Sequence, residues 1–418
     1  MDASPKTIPL TTKTPRRTHA MRSWLFLASL LALGVGESCN AQQPWPLWES
    51  YKSHIVDPRG RVVDHAAEDR TTSEGQAYAM FFALVANDRP CFDKLLHWTE
   101  ANLAPNDLAA NDLAAHLPGW IWGRSVDGSW RVLDRNSAAD ADLWLAYDLM
   151  EAGRLWQEPR YKKLGKLIAA RIAQQEVTVV PGLGTTLLPA PVGFHPDPHT
   201  WLLNPSYMPP SLLAYFTKQI PTGPWGTVRQ SLHPLLAQGS GAGYAMDWVS
   251  AGTAIRPSIT PAQRASRVTD KRPIGSYDAI RVYLWLGIAN PATPGVRELL
   301  TTVSSMVAYL KLHATPPEQV DSRGQILSTN SPPGFSAALI PYLHALGLKQ
   351  QERLQIHRLA ATKDTSQGLY GSDGAYYDQN LALFSTGWTE QRYRFDRDGK
   401  LTVKWLEKQS DQSVLPPH

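Results

Sequence analysis

A chain of 418 residues with 43% hydrophobic and 19% charged side chains is long enough for one large domain or two ordinary ones, and too apolar for a disordered segment. Its 41 basic and 37 acidic residues leave a net charge of +4, mixed along the chain without a long basic block, which excludes the electrostatic footprint of a nucleic-acid binder. The 15 Trp and 15 Tyr beside only 9 Phe supply flat apolar faces with polar tips, as sugar rings require, although core packing claims over half of them.

The first segment reads as an export signal over residues 1–41. Arg16, Arg17 and Arg22 precede an apolar run from Trp24 to Val35, and Cys39-Asn40-Ala41 offers small residues for cleavage. The run, about twelve residues, is too short to span a bilayer. Cleavage after Ala41 leaves Cys91 as the one thiol, so export would proceed without a disulfide framework. No later segment is apolar enough for a membrane span. With no Ser/Gly linker and no break in composition, residues 42–418 are expected to form a single catalytic domain.

Apolar periodicity predicts helices almost throughout. In chain order they are Trp45–Ile55, Ser73–Val85, Phe92–Leu103, Ser137–Leu149, Arg160–Gln174, Pro205–Phe216, Thr227–Leu236, Ser276–Ile288, Gly295–Leu312, Pro333–Leu346, Lys349–Ala361 and Ala375–Phe384. The second, fourth, sixth, eighth, tenth and twelfth are apolar on most sides; the other six carry one charged face. All-round apolar helices belong inside and one-faced helices outside. The fold class expected is therefore all-α, an (α/α)6 barrel of six inner and six outer helices. Between the third and fourth helices, Asn106–Ala110 is repeated as Asn111–Ala115, a loop duplication without chemistry.

The starts of the inner helices gather at one end of such a ring, and three carry acidic groups. Glu74 opens the first, Asp140 and Asp142 the second, and Asp278 the fourth. An acidic residue in a first helical turn ordinarily complements the helix dipole. Three converging in an aromatic-rich chain suggest the two carboxyl groups of glycoside hydrolysis, one protonated and one ionised. Arg281 lies three residues beyond Asp278 on the same helical face and would keep it ionised, making Asp278 the better base. Glu74 has no basic neighbour within four positions except Arg70 and is the better acid. Rival motifs are poor. His195-Pro196-Asp197-Pro198-His199 has metal-like spacing but no further ligands, and the Gly239–Gly243 run lacks the Lys-Ser/Thr of a phosphate loop.

The segments Ser73-Glu74-Gly75-Gln76-Ala77-Tyr78, Asp140-Ala141-Asp142-Leu143-Trp144, Leu203-Asn204-Pro205-Ser206-Tyr207 and Ser276-Tyr277-Asp278-Ala279-Ile280-Arg281 resemble family 8 glycoside hydrolases. The closest likeness is to the periplasmic endoglucanases (cellulases) associated with bacterial cellulose synthase, over Trp45 to about Trp388. The resemblance implies an (α/α)6 barrel, inversion at the anomeric carbon and no cofactor. It implies Glu74 as general acid, Asp278 as general base and Asp140 as holder of the distorted sugar. Tyr207 and Arg281 would fix the attacking water, and Trp120, Trp122 and Tyr277 would contact sugar. The substrate implied is a β-1,4-glucan, cellulose first, with the cellulose synthase machinery as a further partner; the alternatives are a family relative acting on chitosan, xylan or mixed-linkage glucan, and a non-catalytic glucan-binding factor. The pattern departs at Ala139, where the family usually has Ser or Thr, and at Leu145 and Asp148; the carboxylates are intact, so only the positioning of Asp140 is put in question.

Overall fold

Apolar side chains that recur on every side of a helix can be buried only if other helices surround it, and six segments of this chain meet that demand. The computed structural model describes residues 44–104, 113–265 and 271–406; the expected export signal and most of the Asn-Asp-Leu-Ala-Ala repeat lie outside them. The inner helices are α2 (Ser73–Val85), α4 (Ala139–Leu155), α6 (Pro210–Gln219), α9 (Ala279–Ile288), α12 (Pro333–Ala345) and α14 (Tyr376–Thr389). Each packs on the next, and α14 packs back on α2, which closes the ring. Around it lie α1 (Pro46–Ile55), α3 (Arg89–Leu103), α5 (Pro159–Gln175), α7 (Trp225–Gly239), the pair α10 (Val296–Thr302) and α11 (Ser305–Leu310), and α13 (Lys349–Ala361). A single turn, α8 (Pro261–Ala265), lies in a loop. The (α/α)6 barrel read from the sequence is the fold.

The two sets are distinguished by burial. All ten residues of α9 are buried, whereas α13 buries only Gln355 and Leu359. The centre of the ring is filled: Phe384 of α14 meets Tyr78, Phe81 and Phe82 of α2, Trp144 of α4 and Trp285 of α9, with ring centres 4.8–5.2 Å apart. Rings at this spacing meeting edge to face add stability beyond the area they bury. Helices α9 and α12 touch at Gly287, where a Cβ would stand 2.2 Å from the Tyr342 nitrogen. Only glycine permits that approach.

Two predicted helices are interrupted, each for a local reason. The segment at 295–312 breaks after Thr302, where Thr301-Thr302-Val303-Ser304 strings together β-branched and hydroxyl residues of weak helix propensity. The segment at 205–216 begins as a short 3-10 turn, Pro205–Tyr207, and restarts at Pro210. Pro210 holds Pro209 in extended conformation and then suits the first helical position.

Short strands, invisible to periodicity because each has only two to five residues, join the inner helices to the outer ones. Among the described residues they form five small antiparallel sheets: β1 (Thr71–Thr72), β2 (Ile121–Arg124) and β3 (Trp130–Asp134); β4 (Val177–Val180) and β5 (Gly184–Leu187); β6 (Thr200–Leu203), β7 (Trp248–Gly252) and β8 (Arg256–Ser258); β9 (Ile274–Gly275), β10 (Gln319–Asp321) and β11 (Ile326–Ser328); and β12 (Tyr393–Phe395) with β13 (Leu401–Val403). Strands β1, β6 and β9 lead to the starts of α2, α6 and α9, so the sheets fix where those helices begin. The β12–β13 hairpin covers the opposite end of the ring. There the Tyr147 hydroxyl donates to the Gly399 carbonyl at 2.9 Å, and Arg154 Nη2 donates to that of Leu401 at 2.6 Å. The buried Glu151 accepts from Arg154, Tyr215 and the Leu401 N–H. Among the described residues no helix is long and apolar enough to cross a membrane.

Candidate active site

At the end where the inner helices begin, one guanidinium gathers three carboxylates. Arg281, in the first turn of α9 and only 3% exposed, pairs through Nη1 with Glu74. Its Nη2 lies 2.9 Å from Asp278 Oδ1, 3.3 Å from Asp140 Oδ2 and 3.0 Å from Ser206 Oγ. Its charge sits 5.6 Å from the centre of the Tyr207 ring, within reach of a cation–π contact. The acidic positions separated along the sequence therefore converge, and helix N-termini behind them favour negative charge.

Exposure divides the three. The Glu74 and Asp278 side chains are 16% and 30% exposed, so solvent or substrate can meet them, whereas Asp140 is sealed at 3%. Burial lifts the Asp140 carboxyl well above the usual range against the pull of Arg281, and its Oδ1 accepts the Ala141 N–H at 2.8 Å. Ala139, the departure from the family pattern, is fully buried, and its N–H donates to the Pro189 carbonyl at 2.9 Å. Asp148 is buried as well, its carboxyl raised first by desolvation and then by the charge of Glu151.

Directly behind Asp140, Asp142 and Glu176 face one another with no exposure, and Ser137 Oγ donates to Glu176. Two carboxyl groups buried beside one another cannot both carry a charge, so a proton is kept on the pair. Burial accordingly pushes Glu176 up to about 8, and burial together with the Glu176 charge raises Asp142.

The aromatic candidates do not all stand beside the acids. Tyr207 does. Tyr277 is 45% exposed, packs edge-on against Phe335 and donates its hydroxyl to Glu318 at 3.1 Å. Tyr377, in the first turn of α14, donates to the Tyr277 carbonyl at 2.5 Å. Trp120 is half-buried, and its carbonyl accepts the Ser73 N–H at 3.0 Å, tying it to the start of α2. Trp122 is packed among other side chains. Its ring stacks on Trp130 at 4.9 Å and meets Trp98 edge-on, with Arg61 4.6 Å from its centre. The fold engages that ring in its own packing.

The surroundings of Glu74 differ from those its neighbours in sequence suggest. The sequence argument for it as the acid rested on the lack of a basic neighbour, and the fold supplies one from 207 residues away. Sequence reasoning also missed Ser206, which holds Arg281, and Gln76, which fixes the start of α2. The buried Gln76 amide accepts from the Val62 N–H at 2.6 Å and donates to Gly60, Leu95 and Thr99. Neither stands out in one sequence, since their partners come from other elements. The His195–His199 loop forms a turn of its own. His195 stacks on Trp201 at 4.2 Å, and Asp197 accepts the His199 N–H at 2.9 Å.

Residues 22–391 match the sequence profile described as Glycosyl hydrolases family 8. An endoglucanase of Salmonella typhi is 40% identical over 387 residues, covering 92% of this chain and 97% of the relative. One from Xanthomonas axonopodis pv. citri (strain 306) is 41% identical over 376 residues, covering 90% and 92%. Among solved structures, the endo-1,4-D-glucanase of Vibrio fischeri ES114 is similar with a TM-score of 0.75 and 39% identity, covering 87% of this chain and all of that one.

Proposed function

This chain belongs to glycosyl hydrolase family 8, and we propose from that premise that it cuts β-1,4-glucan, cellulose in particular, within the chain and with inversion at the anomeric carbon. The observation that carries the reading is the meeting of Glu74, Asp140 and Asp278 on Arg281 at the open end of the ring. Glu74 gives a proton to the departing glycosidic oxygen as the bond from C1 breaks. Asp278 takes a proton from water as that water attacks C1 from the opposite face. Acid work needs a protonated Glu74, so the contact with Arg281 belongs to the resting site and must open when sugar enters. Asp140 is assigned to the sugar ring at the cleavage point, which requires that the same opening at Arg281 expose its carboxylate, and Arg281 with Tyr207 orients the water.

We place the mature enzyme in the periplasm or outside the cell, from about Gln42 onward, working beside the cellulose synthase machinery. The export pattern of the first 41 residues and the likeness to the endoglucanases support this. Mass spectrometry finding Met1 on the native protein would exclude it.

The chemistry is tested on cello-oligosaccharides by proton NMR, in which the fresh reducing end should appear first as the α-anomer. An initial β-anomer would refute inversion. Glu74→Gln and Asp278→Asn should each remain folded and lose about 10²–10⁴-fold in kcat; full activity in either would remove that residue from its role.

A further inference from the structure

Helix α9 carries both Asp278 and Arg281, so the way it begins decides where the two point. Asp278 is itself the N-cap residue of α9, and aspartate there ordinarily accepts an N–H from the first turn of its own helix. Here it makes no such bond, and its carboxylate turns to Arg281 at 2.9 Å. The backbone groups at the helix start are satisfied from elsewhere. One oxygen, Asp247 Oδ1, accepts the Ser276 N–H at 2.7 Å and the Ala279 N–H at 2.8 Å.

Asp247 stands just before β7, is 6% exposed, and is fixed on both sides. Its N–H donates to the Ile274 carbonyl at 2.9 Å, and the Ala245 N–H donates to the Tyr283 hydroxyl at 3.1 Å. Gly275 presses so closely on this segment that a Cβ would come 2.1 Å from the Ala245 carbonyl oxygen. The capping carboxylate thus sits on a rigid support joined to α9 at several points.

We propose that Asp247 is a positioning residue that takes over the capping of α9 and thereby frees Asp278 to face the reacting water. This rests on the reading of Asp278 as the base. Without Asp247 the Ala279 N–H, next in the chain to Asp278, loses its acceptor, and the Asp278 carboxylate would be drawn back over its own helix and away from Arg281. Burial first, and then the charge of Asp278, lifts the Asp247 carboxyl to about 7, so the cap does not depend on a full charge at neutral pH. Asparagine, which keeps the accepting oxygen, is therefore a fair replacement, and alanine is not.

The test compares Asp247→Asn with Asp247→Ala in otherwise intact enzyme, by kcat and KM on a soluble cello-oligosaccharide. Loss of a cap predicts that the alanine variant loses about 3- to 30-fold in kcat with KM little changed, and that asparagine rescues most of it. In an Asp278→Asn background, Asp247→Ala should cost no further kcat, because the carboxylate it frees is gone. A purely structural role would lower activity equally in both backgrounds and would overturn the proposal, as would an asparagine variant as poor as alanine. If Asp247→Ala does not fold, Asp247→Ser, whose shorter hydroxyl reaches at most one of the two N–H groups, replaces it and should fall between. Full activity in Asp278→Asn alone would sink the base assignment, a failure distinct from that of the cap.

Discussion

Arg281→Met removes the cation that holds the site together while keeping an unbranched side chain. Arg281 is 3% exposed and meets three carboxylates and Ser206. Glu74 and Asp278 are partly open to solvent, which screens them, so the cost falls mainly on the sealed Asp140. Breaking a buried pair by removing one partner costs about 3–5 kcal/mol. With an unfolding entropy of about 2 cal/mol/K per residue, a chain of this size should melt roughly 4–6 °C lower. The sign of the pH dependence follows from Asp140, whose carboxyl is raised by burial with Arg281 holding it down. Without Arg281 it rises further. A carboxyl raised in the folded state contributes stability below its ordinary value near 3.8, and that contribution is lost as the pH climbs. The melting gap between wild type and variant should therefore widen as the pH climbs through the raised folded value of Asp140 and stay constant below it. Differential scanning calorimetry at several pH values measures it. A gap independent of pH would refute the electrostatic reasoning, and no gap would show that Arg281 does not hold the carboxylates.

Glu176, raised to about 8 by burial, keeps a proton in the folded chain that the unfolded chain gives up above its ordinary value of 4.5. Stability should fall across that window by up to about 1.4 kcal/mol per pH unit, and Glu176→Gln should flatten the melting curve against pH; an unchanged slope would exclude a proton held on Glu176. Gly287→Ala drives a methyl into the backbone of α12 and should lower the denaturation midpoint by the equivalent of about 1–3 kcal/mol, so an unmoved midpoint would refute the close approach. Trp120→Ala should weaken oligosaccharide binding by about 1–2 kcal/mol with melting little changed, while Trp122→Ala should lower melting and spare affinity. Calorimetric titration beside thermal scans separates the two, and the reverse pattern would show that the rings are assigned the wrong way round.

The ring was legible because burial on all sides leaves a mark in sequence. Helices α2 and α13 begin and end where apolar and amphipathic periodicity place them, and α12 differs by one residue. The strands left no such mark, since two to five residues cannot show alternation. The site was readable where chemistry coincides with a helix start, as at Glu74, Asp140 and Asp278. It was not readable where a partner arrives across the ring. Arg281 could be paired with Asp278 three residues away, but its bond to Glu74 depends on ring closure. Asp247 looked like one acidic residue in a loop, because the two N–H groups it accepts lie 29 and 32 residues further along. Trp122 looked like Trp120 until Trp98, Trp130 and Arg61 were folded around it.

The hairpin β12–β13 lies beyond residue 391, where the family match ends, yet it covers the floor of the ring. Phe395 stacks on Phe81 and meets Tyr147, while Gly399 and Leu401 take hydrogen bonds from Tyr147 and Arg154 across 252 and 247 residues. During synthesis, inner helices emerge long before the strands that cover them, and contacts of such long range form slowly. A nascent chain stopped before Tyr393 would leave the Glu151–Arg154 pair and the Tyr147 hydroxyl without their caps. Completion of the core therefore waits for β12 and β13, whatever order the inner helices form in.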